Sequence, residues 1–253
     1  MQGLEEQILA SWVVNAISWT RAVRRGEIRS RERVTNGAIL EAIYEGAPRT
    51  LLDLGCGEGW LAHQCARQGI EVLGTDAVAE LTAIAAESAP PGARFQTLTY
   101  QQIATGGLRE RFDVEVANFS LLGDRSLDDL FQALPKLLAP GGCVLVQTLH
   151  PLLVCADHPH ADGWREGSWA GSSPAFRAPA PWYFRTLESW MRLFHRHKLV
   201  VKEMREPLDP LSRQLSAGRP SDGGVPRPGP WPLRDGRPPH PRCSDRRAAR
   251  AGR

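Results

Sequence analysis

Apolar side chains recur at helical spacing over residues 4–24: Leu4, Ile8, Trp12, Ala16, Trp19 and Val23, with Leu9, Val13 and Ile17 beside them. The pattern predicts a helix that Gly26 ends. A second helix is predicted from Thr35, a good N-cap residue, through Ile39, Leu40 and Ile43 to Gly46. An Arg-rich connection lies between them, with Arg24, Arg25, Arg29, Arg31 and Arg33. After Pro48 short apolar runs alternate with helical patterns. Strands are predicted at 49–54, 71–75, 94–99, 112–118, 143–148 and 199–204, with helices at about 59–67, 78–87, 126–138 and 186–197. Strands separated by 10- to 15-residue helices imply βαβ units, hence a doubly wound, mostly parallel α/β sheet with helices on both faces. Right-handed crossovers put the strand C-termini on one rim, where ligands bind in such sheets.

Two segments break this rhythm. Residues 152–184 show no clear period, yet contain Trp164, Trp169, Trp182 and Tyr183 among Gly, Ser and Pro. Connections of that length are uncommon unless they serve a function. Residues 212–253 hold eight Pro and six Gly with hardly any aliphatic side chains, a composition that predicts disorder.

The same tail changes the reading of charge. The chain of 253 residues has a net charge of +3, but the last 42 carry ten Arg and three Asp, leaving the first 211 at −4. The basic balance therefore belongs to the tail and is no sign that the folded part binds nucleic acid. No apolar run is long enough for a membrane span, and the start, Met1 to Glu6, lacks the pattern of a signal peptide. Five Cys (56, 65, 143, 155, 243) without a C-x-x-C pair read as reduced thiols of a cytoplasmic protein.

The sharpest chemical signal is Asp53-Leu54-Gly55-Cys56-Gly57-Glu58-Gly59 at the end of the first strand. Alternate glycines let the backbone bend sharply and a ligand approach closely. The spacing differs from the dinucleotide fingerprint, and Asp53 and Glu58 suit a ligand bearing an ammonium group better than a pyrophosphate. Asp76 ends the second strand, where a carboxylate can accept both ribose hydroxyls.

These residues resemble motif I and the ribose-binding acid of class I S-adenosylmethionine-dependent methyltransferases. Phe112 to Leu122 resembles the fourth strand and its loop, and Leu137 to Gly142 the turn before the fifth. The likeness covers about residues 35–207 and is nearest the small-molecule branch of type 11 and 12 domains. It implies a Rossmann-like fold, S-adenosylmethionine as cofactor and a small-molecule methyl acceptor. By position, Gly55, Cys56, Gly57 and Gly59 would meet the methionine part, with Asp53 behind them. Asp76 and Ala77 would meet the ribose, and Asn118 and Phe119 the cleft wall. Thr99-Tyr100-Gln101 departs from the family at the adenine. Tyr100 would stack there or sit in the core with its hydroxyl at the surface. The family also ends with a seventh, antiparallel strand for which no run follows Pro210, and 28 Arg against 3 Lys suggest that the tail is a shifted reading frame of a GC-rich gene.

His150, after the fifth strand, is the candidate general base, against a histidine that simply caps a strand. Trp164, Arg165, Trp169, Trp182 and Tyr183 are candidates for a substrate lid, against a locally packed cap. Trp19, Arg24 and Arg29 are candidates for the cleft border, with one Arg to pair with the cofactor carboxylate, against a solvated basic face. Asp157-His158-Pro159-His160 is a weak metal pattern, and no metal is expected. The resulting organisation is a cap at 1–47, a methyltransferase domain at 48–211 with a lid at about 152–185, and the tail at 212–253. Two alternatives stay open: an inactive cofactor-binding or interaction module, and an RNA-modifying enzyme assisted by the tail. The segment Asn118-Phe119-Ser120-Leu121 lacks the stacking aromatic that follows a Pro pair in base-methylating enzymes, which disfavours nucleic acid. No pattern decides the oligomeric state.

Overall fold

A computed structural model describes residues 2–155 and 158–213. Its centre is a sheet of five parallel strands, β1 (Thr50–Leu54), β2 (Glu71–Asp76), β3 (Ala93–Thr97), β4 (Phe112–Asn118) and β5 (Leu138–Gln147), in the order β3-β2-β1-β4-β5. The order reverses at β1, so the rim beyond β1 and β4 is the switch point where such sheets take ligands. Strand β1 is apolar and buried because both its faces are covered. Leu52 and Leu54 point to α6 (Arg125–Leu137) and α8 (Leu187–Arg196), packing near Leu130, Phe131, Leu134 and Trp190. Leu51 points the other way, to α2 (Asn36–Glu45) and α3 (Trp60–Arg67), near Ile43, Leu61 and Cys65.

Helix α1 (Gln2–Arg24) supports the rim at two places. Near its start, the Glu5 carboxylate accepts from the backbone N–H of Asp124 (2.8 Å) and Ser126 (3.2 Å), satisfying open donors at the start of α6. Farther on, Ala16, Trp12 and Trp19 pack against Val78 and Leu81, the latter in α4 (Ala79–Glu87). Gly26, at φ +64°, follows the helix.

The structure corrects several expectations. A five-residue π turn, Arg31–Thr35, precedes α2, and the Thr35 side chain makes no capping bond because its backbone is already helical. The predicted strand at 199–204 has no regular secondary structure and no sheet pairing, and Val200 is 85% exposed. Among the described residues β5 pairs only with β4. Strand β5 starts at Leu138, five residues early, because Phe112 pairs with Leu138 while Val114 pairs with Cys143 across a bulge. The segment at 152–184 is not without regular structure. It holds part of α7 (Pro151–Val154) and a hairpin of β6 (Gly163–Arg165) with β7 (Trp182–Phe184), joined by a loop.

No helix among the described residues is long and apolar enough to cross a membrane. No group of three His, Cys, Asp or Glu among them could hold a metal ion, and Cys56, Cys65, Cys143 and Cys155 are free. The tail from 214 onward, with Cys243, lies outside the described residues, as does Asp157.

Candidate active site

The glycine-rich turn between β1 and α3 folds back over β2. The N–H groups of Gly55 and Cys56 both donate to the Thr75 carbonyl, at 2.8 and 2.9 Å. Gly55, Gly57 and Gly59 have φ of +74°, +56° and +86°. A Cβ at Gly55 would lie 2.4 Å from Cβ of Ser120, and one at Gly59 would lie 2.8 Å from Cβ of Ala85. Glycine is therefore required at both by conformation and by space.

Three carboxylates surround this turn. Asp53 is fully buried, and its Oδ2 has no hydrogen-bond partner. Burial, then the charges of Glu58 and Asp76, pushes its pKa up to about 8. Asp76 accepts from Gly57 N–H through Oδ2 and from Val78 N–H through Oδ1, both at 2.9 Å. Burial raises its pKa, and N–H donors, that of Ala77 among them, oppose the rise. Glu58 is also buried and raised by burial; its Oε2 accepts from Trp19 Nε1 at 2.9 Å while Oε1 has no partner. The buried Cys56 thiol is pushed well up by burial and by these acids, so it is an inert wall.

A partly buried cation, Arg31, faces the acids. The Arg31 guanidinium lies 5.5 Å from the Trp19 ring and 5.2 Å from the Trp60 ring, and its Nε donates to Asn36 at 3.3 Å. Burial lowers its pKa, whereas Glu58, Glu32 and Asp53 hold it up. Sequence reasoning nominated Arg24 and Arg29 instead. Arg29 is exposed, whereas Arg24, which reaches the Ile84 carbonyl at 3.4 Å, lines a cavity of about 190 Å³ with Glu58 and Trp60.

The opposite wall comes from the end of β4. Phe119 has φ +56°, an unusual conformation for an aromatic residue, held by its N–H bond to Gln147 O at 2.8 Å. Ser120 donates to Leu54 O at 2.5 Å. Oδ1 of Asn118 and Oε1 of its neighbour Gln147 are buried without partners. Tyr100 opens the single turn α5 (Tyr100–Gln102), whose start is fixed by a reciprocal capping box between Thr99 and Gln102. Tyr100 is partly buried against the apolar cluster under α6 and α8, and its hydroxyl donates to Ser120 O at 3.2 Å.

His150 occupies the N-cap position of α7, three residues beyond the end of β5, without a side-chain capping bond. Its Nε2 lies 2.6 Å from Glu206 Oε1, and its Nδ1 is buried without a partner. Glu206 was not anticipated, because the pair is separated by 56 positions.

The lid candidates divide into two groups. Trp169 joins Trp12 and Phe176, with ring centroids 6.0 and 4.6 Å apart, and its Nε1 donates to Arg177 O. This loop is tied to α1, where Asn15 exchanges bonds with the Arg177 backbone and Ser11 donates to Ala178 O. Trp12 in turn meets Trp19 edge-on at 5.1 Å, so this group reaches Glu58. Trp164, Arg165, Trp182 and Tyr183 instead form the hairpin. Trp164 meets Tyr183 edge-on, and Trp182 and Tyr183 border a cavity of about 20 Å³ with Leu121, Thr148 and Pro151. Arg165 lies over Phe184 and donates to the carbonyls of Pro159 and Ala161, which ties it to its own loop.

Comparison with known proteins agrees with this architecture. A family described as methyltransferase domain matches residues 28–203. A ubiquinone biosynthesis O-methyltransferase of Cereibacter sphaeroides is 37% identical over 105 residues, 40% of this chain and 41% of that protein. The homologous enzyme of Brucella ovis is 36% identical over 116 residues, 42% and 46% of the two chains. The chain thus spans less than half the length of these curated relatives. In fold it is similar to the 1,6-didemethyltoxoflavin-N1-methyltransferase of Burkholderia thailandensis, with a TM-score of 0.55 and 15% identity over 80% of this chain and 84% of that one. With a match that runs from the Arg-rich connection through the glycine-rich turn to the far side of the lid, the chain belongs to the methyltransferase domain family.

Proposed function

We propose that the chain binds S-adenosylmethionine against the glycine-rich turn and methylates an O, N or C atom of a small molecule held beneath residues 152–185. In this reading residues 1–47 are a cap over the domain at 48–211. The observation that carries it is the set of buried acids at the switch point, with Asp53 Oδ2 and Glu58 Oε1 left unpartnered. Buried carboxylate oxygens without donors favour a ligand that brings positive charge or hydroxyls. S-adenosylmethionine has an ammonium, a sulfonium and two ribose hydroxyls, and when bound it supplies an electrophilic methyl carbon.

Asp76 would accept the ribose hydroxyls, since each oxygen keeps a lone pair beyond its bond to the turn. Gly55, Cys56 and Gly57 would line the methionine part through their backbone. Arg31 would meet its carboxylate, held ready between two tryptophans. Asn118 and Phe119 would wall the cleft, with Tyr100 bracing the Phe119-Ser120 turn from behind. Positioning an in-line displacement supplies much of such a reaction's acceleration. For an acceptor with an O–H or N–H, His150 Nδ1 would take the proton, while Glu206 accepts the Nε2 proton and fixes the tautomer. The aromatic groups around Trp169 and around Trp182 and Tyr183 would close over the acceptor.

Isothermal titration with S-adenosylhomocysteine tests the site. Saturable binding is expected, weakened at least about tenfold by Asp76→Asn and by Gly57→Val. The absence of binding to folded protein, or unchanged affinity in both variants, overturns the assignment. A metabolite screen with methyl-labelled cofactor then identifies the acceptor, and label entering RNA instead favours the nucleic-acid alternative.

A further inference from the structure

Helix α1 uses one face to hold the rim and leaves the other bare. Ala10, Val13, Val14 and Ile17 form a continuous exposed patch at three- and four-residue spacing, with Leu9 at its flank. Val13, Val14 and Ile17 are 51–58% exposed, although each is a large apolar side chain. The same face carries Glu6 one turn before the patch and Arg21 one turn after it, both exposed. Among the described residues neither makes an ion pair within 4.0 Å; the α1 acid that docks is its neighbour Glu5.

The order along this face is its own complement when reversed. About a point between Val13 and Val14, Ala10 is opposite Ile17 and Glu6 is opposite Arg21. In an antiparallel pair related by a two-fold axis, each small residue meets a large one and each acid meets a base. We propose that this face is a self-association surface, on which α1 of a second copy of this chain packs antiparallel about Val13 and Val14. Such an interface is isologous, so both Glu6–Arg21 pairs form at once. Glu6 on the apolar face opposes an anionic lipid surface, whereas a second copy supplies the matching cation. The contact of one helix with one helix lies at the small end of specific interfaces, so a reversible dimer is expected. Because the same helix carries Trp19 to Glu58, association braces the helix that borders the glycine-rich turn.

Sedimentation velocity of the full chain over a range of about 1–200 µM tests the proposal. A monomer–dimer equilibrium is expected, weakened about tenfold or more by Glu6→Arg alone and by Arg21→Glu alone. Mixing those two variants restores the affinity. The arginine introduced in one copy then meets the glutamate introduced in the other, while the native Arg21 of the first copy meets the native Glu6 of the second. Val13→Lys abolishes the dimer. Unchanged circular dichroism separates these effects from unfolding, since all three sites are exposed. A monomer throughout, a dimer indifferent to the charge reversals, mixing without restoration, or a monomer that binds phosphatidylglycerol vesicles through this face overturns the proposal.

Discussion

Glu115 lies in the middle of β4, between Leu52 and Val144 in register, and is fully buried with neither carboxylate oxygen partnered. It shares its side of the strand with Ala117, facing the apolar cluster under α6 and α8. Burial alone raises its pKa from 4.5 to about 9, so the folded chain holds it neutral at pH 7 while the unfolded chain ionises it. An acid whose folded pKa is raised binds its proton more tightly in the folded state. Stability is then fullest below pH 4.5 and falls as pH climbs toward about 9. At about 1.4 kcal/mol per pH unit, the loss is about 3 kcal/mol by pH 7 and about 4 kcal/mol between pH 5 and pH 8. Glu115→Leu fills a similar volume and removes the titration. Urea unfolding followed by tryptophan fluorescence should show the variant more stable than the parent, by a margin that grows with pH across that interval. A margin that stays constant from pH 5 to pH 8 refutes the reasoning, because only an ionisable group with a shifted pKa gives the slope.

Two further outcomes follow from the site and its support. As Asp53 ionises near pH 8, the sulfonium of S-adenosylmethionine gains attraction that the neutral thioether of S-adenosylhomocysteine does not. The ratio of their dissociation constants should therefore favour S-adenosylmethionine increasingly from pH 6 to pH 9 by titration calorimetry, and a flat ratio counts against buried acids at the sulfonium. Arg185, whose guanidinium donates to Asp124 O and Oδ1 and lies 4.6 Å from the Tyr183 ring, joins the hairpin to the start of α6. Arg185→Met should cost about 2 kcal/mol in urea unfolding, below the range for fully buried pairs because Asp124 stays hydrated, and a loss under about 0.5 kcal/mol contradicts that role.

The parts of the fold that were legible in the sequence are those fixed by local period and local backbone demands. The run from Thr50 to Gly59 announces a buried strand entering a turn because only glycine fits there, and the turn is found where expected. The strand expected at 199–204 failed for a different reason. Leu199, Val200 and Val201 have the propensity, but a strand exists only when another strand satisfies its N–H and C=O groups, and β5 offers no such pairing among the described residues. The hairpin at 163–165 and 182–184 was hidden because three-residue strands carry too little alternation to register. Glu206 was invisible to any local pattern, since nothing near it in sequence indicates His150.

Arg31 is the more instructive omission, because a signal for it was present. Five arginines lie between residues 24 and 33, and charge count alone cannot choose among them. Spacing can. Ile28, Arg31 and Val34 recur every third residue, so a helical turn through this segment puts all three on one side. Ile28 and Val34 are buried, which turns Arg31 inward with them. An arginine on the apolar side of a turn must find aromatic faces and carboxylates or suffer a large desolvation penalty. Here it finds Trp19, Trp60 and Glu58, all attached to the glycine-rich turn or to α1. Arg29 has no buried neighbour at that spacing on either side, and both it and Arg24 are exposed. The residue best placed to meet an anionic group at the site is thus singled out by its apolar company and not by the density of charge around it.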